Sequence, residues 1–309
     1  MSVISKTSTA IDAAVSFLLK NQDGDGAWRD FRVRPGRSDA WSTAYIAMKL
    51  RCAEHTCSNS DIEARLDRAA QFLLAARNKD GWGYNDRCAA DADTTARAIL
   101  FLRAMDYGVN PQGYASLAKF QTPCGGFATY RMTRCGHGWE RAHPDVTAVA
   151  LRALCGFLDE RHDILRRALA SLAAHLKGPH GSDSFWWRSR FYLAMEVRKL
   201  AKVLPTARSL PLPHGPISSD NFDVALALEF AAGQEESMER VESLRYRLLA
   251  QCRADGSWTS GPILRITDPR ARDFGDEFFV ASPFVVDDRR LFTTATALGA
   301  LVSSDCEAH

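Results

Sequence analysis

An amphipathic helix pattern, a glycine-rich turn and a helix pattern apolar on nearly every side recur along this chain. That alternation decides what it can fold into. Residues 61–77 place Ile62, Leu66, Ala69, Ala70, Leu73 and Leu74 on one face and charges on the other. Residues 237–252 do the same with Met238, Val241, Leu244, Leu248 and Leu249. Such helices have one wet side and belong on the outside of a helical array. Residues 96–105, 147–158, 222–232 and 293–302 are nearly apolar all round, the mark of helices buried on both sides. Outer and inner patterns pair as 9–21 with 40–51, 61–77 with 93–105, 112–121 with 145–157, 162–177 with 184–202, and 237–252 with 290–302. The inner pattern at 221–232 has no clear outer mate, because 205–219 is short and proline-rich. No period-two strand pattern interrupts the series. The expectation is an all-α fold, an α/α toroid of five to six helical hairpins with inner helices around a cavity, forming one domain over residues 1–309.

Composition bounds the partners. A net charge of +2 gives no general attraction to nucleic acid, and 46% hydrophobic residues suffice for a large core. The N-terminus has no apolar h-region and no apolar run nears about 18 residues, so neither a signal peptide nor a spanning helix is expected. The eight cysteines (52, 57, 88, 124, 135, 155, 252 and 306) form no framework and read as reduced thiols of a cytoplasmic protein.

The chemistry gathers where inner helices begin. Asp91-Ala92-Asp93-Thr94-Thr95 follows the turn Asp80-Gly81-Trp82-Gly83-Tyr84 and opens an apolar helix. Two carboxyls two residues apart at such a start can hold one proton between them, since repulsion and burial lift one pKa. The plainer reading is that one of them caps the helix, and a cap can also be an acid. His137 and His143 precede the next inner helix; the ordinary reading of each is a surface-loop histidine, the sharper one a group that orients or reloads the acid. Asp145 reads as the cap of helix 146–157. Trp41, Tyr45, Trp82, Tyr84, Trp139, Phe185, Trp186, Trp187, Phe222 and Phe292 also cluster at inner-helix starts, where π-faces can steady cations or simply pack.

The stretch DGWGYNDRCAADADTTARAILFLRA resembles the region around the Asp-x-Asp-Asp motif of class II terpene cyclases, with Thr94 in the fourth place. FLLKNQDGDGAW (Gln22, Gly26, Trp28) and LAQCRADGSW (Gln251, Gly256, Trp258) resemble that superfamily's Gln/Gly/Trp repeat, whose glutamine can stack on the tryptophan and bond to the backbone of the next turn. The resemblance implies a β-type toroid domain in which Asp93 is the general acid. Asp91 would orient it or lift its pKa, and Thr94 would donate a hydrogen bond. Proton transfer of this kind needs no cofactor. The expected ligand is an isoprenoid, with Trp41, Trp139, Trp186, Trp187, Phe222 and Phe292 facing it. A diphosphate head would call for cations such as Arg29, in the loop with Arg32, Arg34 and Arg37, or Arg290 beside Arg289, and for Mg²⁺. Family enzymes usually pair this domain with a second helical one. The expectation here is a cavity closed within one toroid or by a homodimer, and a short prenyl diphosphate or a prenylated scaffold as substrate. Peripheral membrane contact stays open.

Metal readings fail on spacing. Asp23-Gly24-Asp25-Gly26 lacks the later acidic ligands of a calcium loop, and Cys124, Cys135, His137 and His143 fit no zinc pattern. Protein prenyltransferase β-subunits share the toroid but need an Asp-x-Cys pair that DNFDV (220–224) lacks. Two rivals remain. One is a carbohydrate-active toroid pairing Asp91 or Asp93 with a distant carboxylate such as Glu277, at the roughly 6.5–9.5 Å of an inverting hydrolase. The other is a non-catalytic lipid-binding module. Residues 268–288 read as a surface loop or a flap over the cavity.

Overall fold

The computed structural model describes residues 3–57, 59–131, 137–212, 216–232 and 238–306, so Cys135 lies outside the described residues. In chain order the helices are α1 (Val3–Lys20), α2 (Ala40–Ala53), α3 (Ile62–Ala76), α4 (Ala92–Ala104), α5 (Pro111–Ala118), α6 (Pro144–Leu154), α7 (Asp163–Leu176), α8 (Arg190–Val203), α9 (Asn221–Ala231), α10 (Met238–Ala250), the short α11 (Glu277–Val280) and α12 (Leu291–Cys306). A helix therefore stands at each expected position. A 3₁₀ turn at Pro205–Ser209 stands where α9 lacked an outer mate. Two antiparallel ribbons were not expected: β1 (Asp30–Val33) with β2 (Gly36–Ser38), and β3 (Leu264–Arg265) with β4 (Phe284–Val285). At two to four residues per strand, alternation has no length in which to show. Among the described residues no helix is long and apolar enough to cross a membrane.

The contacts define two compact units. The first comprises residues 1–75, 216–261 and 286–309; the second comprises 76–215 and 262–285. In the first, α12 packs on both α2 and α9, while α1 lies on α12 and α10 on α9. In the second, α6 packs between α4 and α8, flanked by α5 and α7. The helices expected inside are buried on all sides, as α2, α6 and α9 show. The expected outer faces hold at Ile62, Leu66, Ala69, Ala70 and Leu73 of α3 and at Val241, Leu244 and Leu248 of α10. They fail at Leu74 and Met238, which are exposed. On α10 a core place goes instead to Arg245, whose guanidinium donates to the Ser304 hydroxyl at 3.2 Å and carbonyl at 2.6 Å. The buried charge is accepted because its donors are satisfied.

A shared joint links each turn to its inner helix. The fourth residue of α2, α4, α6 and α12 is a threonine (Thr43, Thr95, Thr147, Thr294). Its hydroxyl accepts the backbone N–H of Trp28, Trp82, Phe127 and Trp258, at 2.8, 3.1, 2.8 and 3.1 Å. Two glutamines tie turns to outer helices through backbone carbonyls. Gln22 donates to the carbonyls of Gly26 (2.9 Å) and Arg65 (2.8 Å), tying its turn to α3. Gln121 does the same with Gly125 and Ile164 of α7, both at 2.8 Å. Gln251, by contrast, is exposed. Gly26 sits at φ +94° directly under α3, where an added Cβ would lie 2.4 Å from the Arg68 carbonyl oxygen. Only glycine meets both demands.

Candidate active site

The joint fixes the start of α4, and with it two carboxylates. Asp91 is the extended cap residue of that helix. Its Oδ1 accepts the Thr94 N–H at 2.7 Å and its Oδ2 accepts the Thr94 hydroxyl at 2.8 Å. Thr94 thus donates, as expected, but to Asp91. Asp91 is buried, and burial raises its pKa to about 7 against the lowering effect of the Thr94 bonds, with the Asp93 charge adding to the rise. Asp93 is the second residue of α4 and keeps 18% of its side chain exposed, with the Arg97 Nε 3.3 Å away.

The second residue of α6 is also an aspartate. Asp145 was expected as a cap, but Pro144 takes the first helical position and His143 becomes the cap residue. Asp145 is 2% exposed and its Oδ2 accepts the Trp186 N–H at 3.0 Å. Burial raises its pKa to about 6, opposed by that bond and reinforced by the charge of Asp93. Asp91, Asp93 and Asp145 therefore belong to one electrostatic group at the starts of two packed helices.

His143 is no surface residue: it is 2% exposed and stacks on Phe185 at 3.6 Å. Its Nε2 faces the Gly138 carbonyl at 3.1 Å, which can only accept, so Nε2 carries the proton. Its Nδ1 then accepts from the Thr129 hydroxyl at 2.9 Å, and that oxygen in turn accepts the Trp186 indole N–H at 2.8 Å. Burial holds the imidazole neutral, with a pKa of about 3. Both ring nitrogens are thus engaged with Thr129 and Gly138. His137 is exposed.

The aromatic candidates divide between the units. Trp186 and Trp139 lie 5.8 Å apart near the carboxyls, both partly buried, and Trp139 donates to the Thr267 carbonyl at 2.9 Å. Trp187 stacks on Tyr192 at 4.3 Å. Residues 268–288 are not a loose loop. Phe274, Phe278 and Phe279 pack with Phe185, Trp139 and Trp186 around Ala271. Glu277 stays exposed on α11. Trp41, Phe222 and Phe292 belong to the first unit, where they form a buried cluster with Phe31 and Tyr45; Phe292 lies 3.9 Å from Tyr45, 5.1 Å from Trp41 and 5.8 Å from Phe222. Of the candidate arginines of that unit, Arg29 pairs with Asp23 (3.0 Å) and Asp25 (2.6 Å) and Arg290 with Asp255 (3.0 Å), while Arg32 and Arg34 are exposed. Among the described residues no three His, Cys, Asp or Glu side chains converge on a metal-sized site.

Two of the contributors missed in the sequence left a signal there. Asp145 could have been placed by Pro144, a first-turn signal. Arg97 could have been found four residues after Asp93, the spacing that faces side chains along a helix.

No family model matches the chain, and no curated protein matches it. Solved structures do. The type II terpene cyclase MstE from Scytonema, without ligand, superposes with a TM-score of 0.76 at 25% identity, covering 99% of this chain and 100% of that one. A variant of MstE in complex with geranylgeranyl dihydroxybenzoate, its substrate, matches at TM-score 0.75 and 24% identity over 99% of each chain. A protein from Actinoplanes matches at 0.79 and 24%, over 97% of this chain and 99% of that one. A possible member of the GH105 family from Klebsiella pneumoniae reaches 0.60 at 12% identity, over 99% and 94%. The fold is thus all-α and of the α/α-toroid class.

Proposed function

We propose that this chain is a class II terpene cyclase, protonating the terminal alkene of a prenyl chain borne on a second scaffold and folding the cation into rings. The observation that carries the reading is the group Asp91, Asp93 and Asp145, three carboxyls at two packed helix starts beside Trp186. Burial keeps protons on such a group near neutral pH, which is the condition for acid-initiated chemistry. Asp93, the most accessible of the three, is the acid. Asp91 and Asp145 hold and return its proton, while His143 and Thr129 fix the Trp186 indole. The faces of Trp186 and Trp139 steady the cation without offering a lone pair. The fold it shares with MstE supports the same reading.

A prenylated scaffold is favoured over a free prenyl diphosphate because Arg29 and Arg290 are already neutralised by carboxylates of this chain. Cyclisation begun and ended by a proton leaves mass unchanged. The test incubates the protein with geranylgeranyl dihydroxybenzoate and, separately, with geranyl, farnesyl and geranylgeranyl diphosphates with and without Mg²⁺. Cyclic isomers of unchanged mass should form with wild type and fall by about a hundredfold or more in Asp93→Asn. No isomer from any of the four would refute the reading.

A further inference from the structure

Arg97 lies one helical turn beyond Asp93 on α4, only 7% exposed, with its Nε 3.3 Å from the Asp93 carboxylate. The other end of the guanidinium is gripped from α8. Its Nη2 bonds to the Tyr192 hydroxyl and lies 3.5 Å from Oε1 of Glu196, and Cζ stands 5.6 Å from the centre of the Tyr192 ring. The second oxygen of Glu196 accepts from Arg152 of α6. Asp93, Arg97, Glu196 and Arg152 thus alternate in sign across three helices, and Glu196 is 3% exposed.

We propose that Arg97 is a positioning residue for the acid: it aims the Asp93 carboxyl and stabilises the carboxylate left when the proton departs. This rests on the cyclase reading above. Arg97 and Arg152 are two cations faced by one fixed anion, Glu196. Glu196 stays ionised because Arg152, Arg97 and Lys199 outweigh the burial that would raise its pKa. With Arg97, Arg152 and Lys199 around Glu196, the net positive charge of the set falls when Asp93 is ionised. The guanidinium of Arg97 beside protonated Asp93 therefore pulls on the O–H bond. In the transfer step this bond breaks and its electron pair stays on the Asp93 carboxylate. The alkene π pair forms the new C–H bond, and the positive charge appears on the adjacent carbon. Negative charge thus develops beside a donor already in place. Lysine could not copy this, since one ammonium cannot span Asp93 at one end and Tyr192 with Glu196 at the other.

Other groups act on Asp93 as well. Asp91 at the cap of α4 and Asp145 on α6 are like charges that hold its proton on, while His143 is neutral. From α8 come Tyr192, Glu196 and Lys199, and the phenol of Tyr130, pushed up by burial and by Asp91, stays protonated. The titratable side chain of α5, Tyr114, stacks on Phe157.

The test is a pair of opposite shifts. The carboxyl ¹³C resonance of Asp93, assigned through Asp93→Asn, is titrated without substrate in wild type, Arg97→Gln, Arg97→Lys and Glu196→Gln. The pH dependence of kcat is recorded on the substrate that turns over. Removing the cation in Arg97→Gln should move the Asp93 titration, and the alkaline limb of kcat, up by about one pH unit or more. Its plateau kcat should drop roughly 10- to 100-fold with KM little changed, as for an interaction made in the transition state. Glu196→Gln leaves Arg97 less compensated and should move both curves down, while Arg97→Lys should fall between wild type and Arg97→Gln. A purely structural role would lower stability and leave the Asp93 titration in place. Unmoved titrations in Arg97→Gln and Glu196→Gln, or shifts of the same sign, overturn the proposal; if Arg97→Gln does not fold, an unmoved Asp93 in Arg97→Lys and Glu196→Gln does so. Absence of turnover on every substrate defeats the cyclase reading, and the substrate-free titration still decides whether Arg97 governs Asp93.

Discussion

Asp91→Asn should make the protein more stable at alkaline pH, although it alters a residue of the candidate site. The folded-state pKa of Asp91 is raised to about 7, against roughly 3.9 for an aspartate in an unfolded chain. The folded state therefore holds the proton more tightly, so stability is full below about pH 4 and falls as pH rises toward 7. At about 1.4 kcal/mol for each pH unit, the ceiling on this loss is about 4 kcal/mol. Asparagine keeps a cap oxygen for the Thr94 N–H and removes the buried charge. It gives up the bond from the Thr94 hydroxyl, worth about 1 kcal/mol. The net gain at pH 8 is then at most about 3 kcal/mol, or a Tm rise of roughly 5 °C for a chain of this size. At pH 4.5, where wild-type Asp91 is protonated, the two proteins should melt within about 2 °C of each other. Calorimetry at both pH values checks this. A variant destabilised by the same amount at pH 4.5 and pH 8 would refute the argument, because the burial of Asp91 would then carry no electrostatic cost.

Lys49 and Glu229 form a buried pair at 2.6 Å between α2 and α9. Lys49→Met should cost about 3–5 kcal/mol in urea unfolding, and adding Glu229→Leu should restore most of it. Gly26→Ala forces a Cβ against the Arg68 carbonyl at positive φ and should cost at least about 2 kcal/mol in the same assay, well beyond an exposed Gly→Ala control such as Gly24→Ala.

Helix existence was legible because a period of 3.6 survives in outer helices such as α3, α7 and α10, and a nearly apolar stretch in inner ones such as α9 and α12. What escaped depended on contacts distant in sequence. Arg245 looks like a polar residue on a wet face until Ser304 is found opposite it, 59 residues on. Arg29 carried a readable i,i+4 partner in Asp25, but nothing local announces Asp255 beside Arg290. The carboxyl group was half legible. Asp91 and Asp93 sit together in the chain, whereas Asp145 joins them only because α6 packs on α4. Glu196 carries no sequence signal at all, since its role depends on two arginines from two other helices.

The repeat also explains how chemistry and scaffold coexist in so small a chain. In α2, α4, α6 and α12 the second residue is held at a fixed place by the threonine two residues on, whose hydroxyl takes a backbone N–H of the preceding turn. In α2 and α12 that place holds Trp41 and Phe292, which are packed aromatics of the first unit. In α4 and α6 it holds Asp93 and Asp145. The joint bonds through backbone and threonine hydroxyl alone, so it does not depend on what the second residue carries. An aromatic there adds packing energy; a carboxylate there adds cost, which burial turns into a raised pKa. The second unit, acidic at the second positions of α4 and α6, has exchanged stability for acidity at places the fold already orients. That exchange is what the proposed proton-initiated chemistry requires.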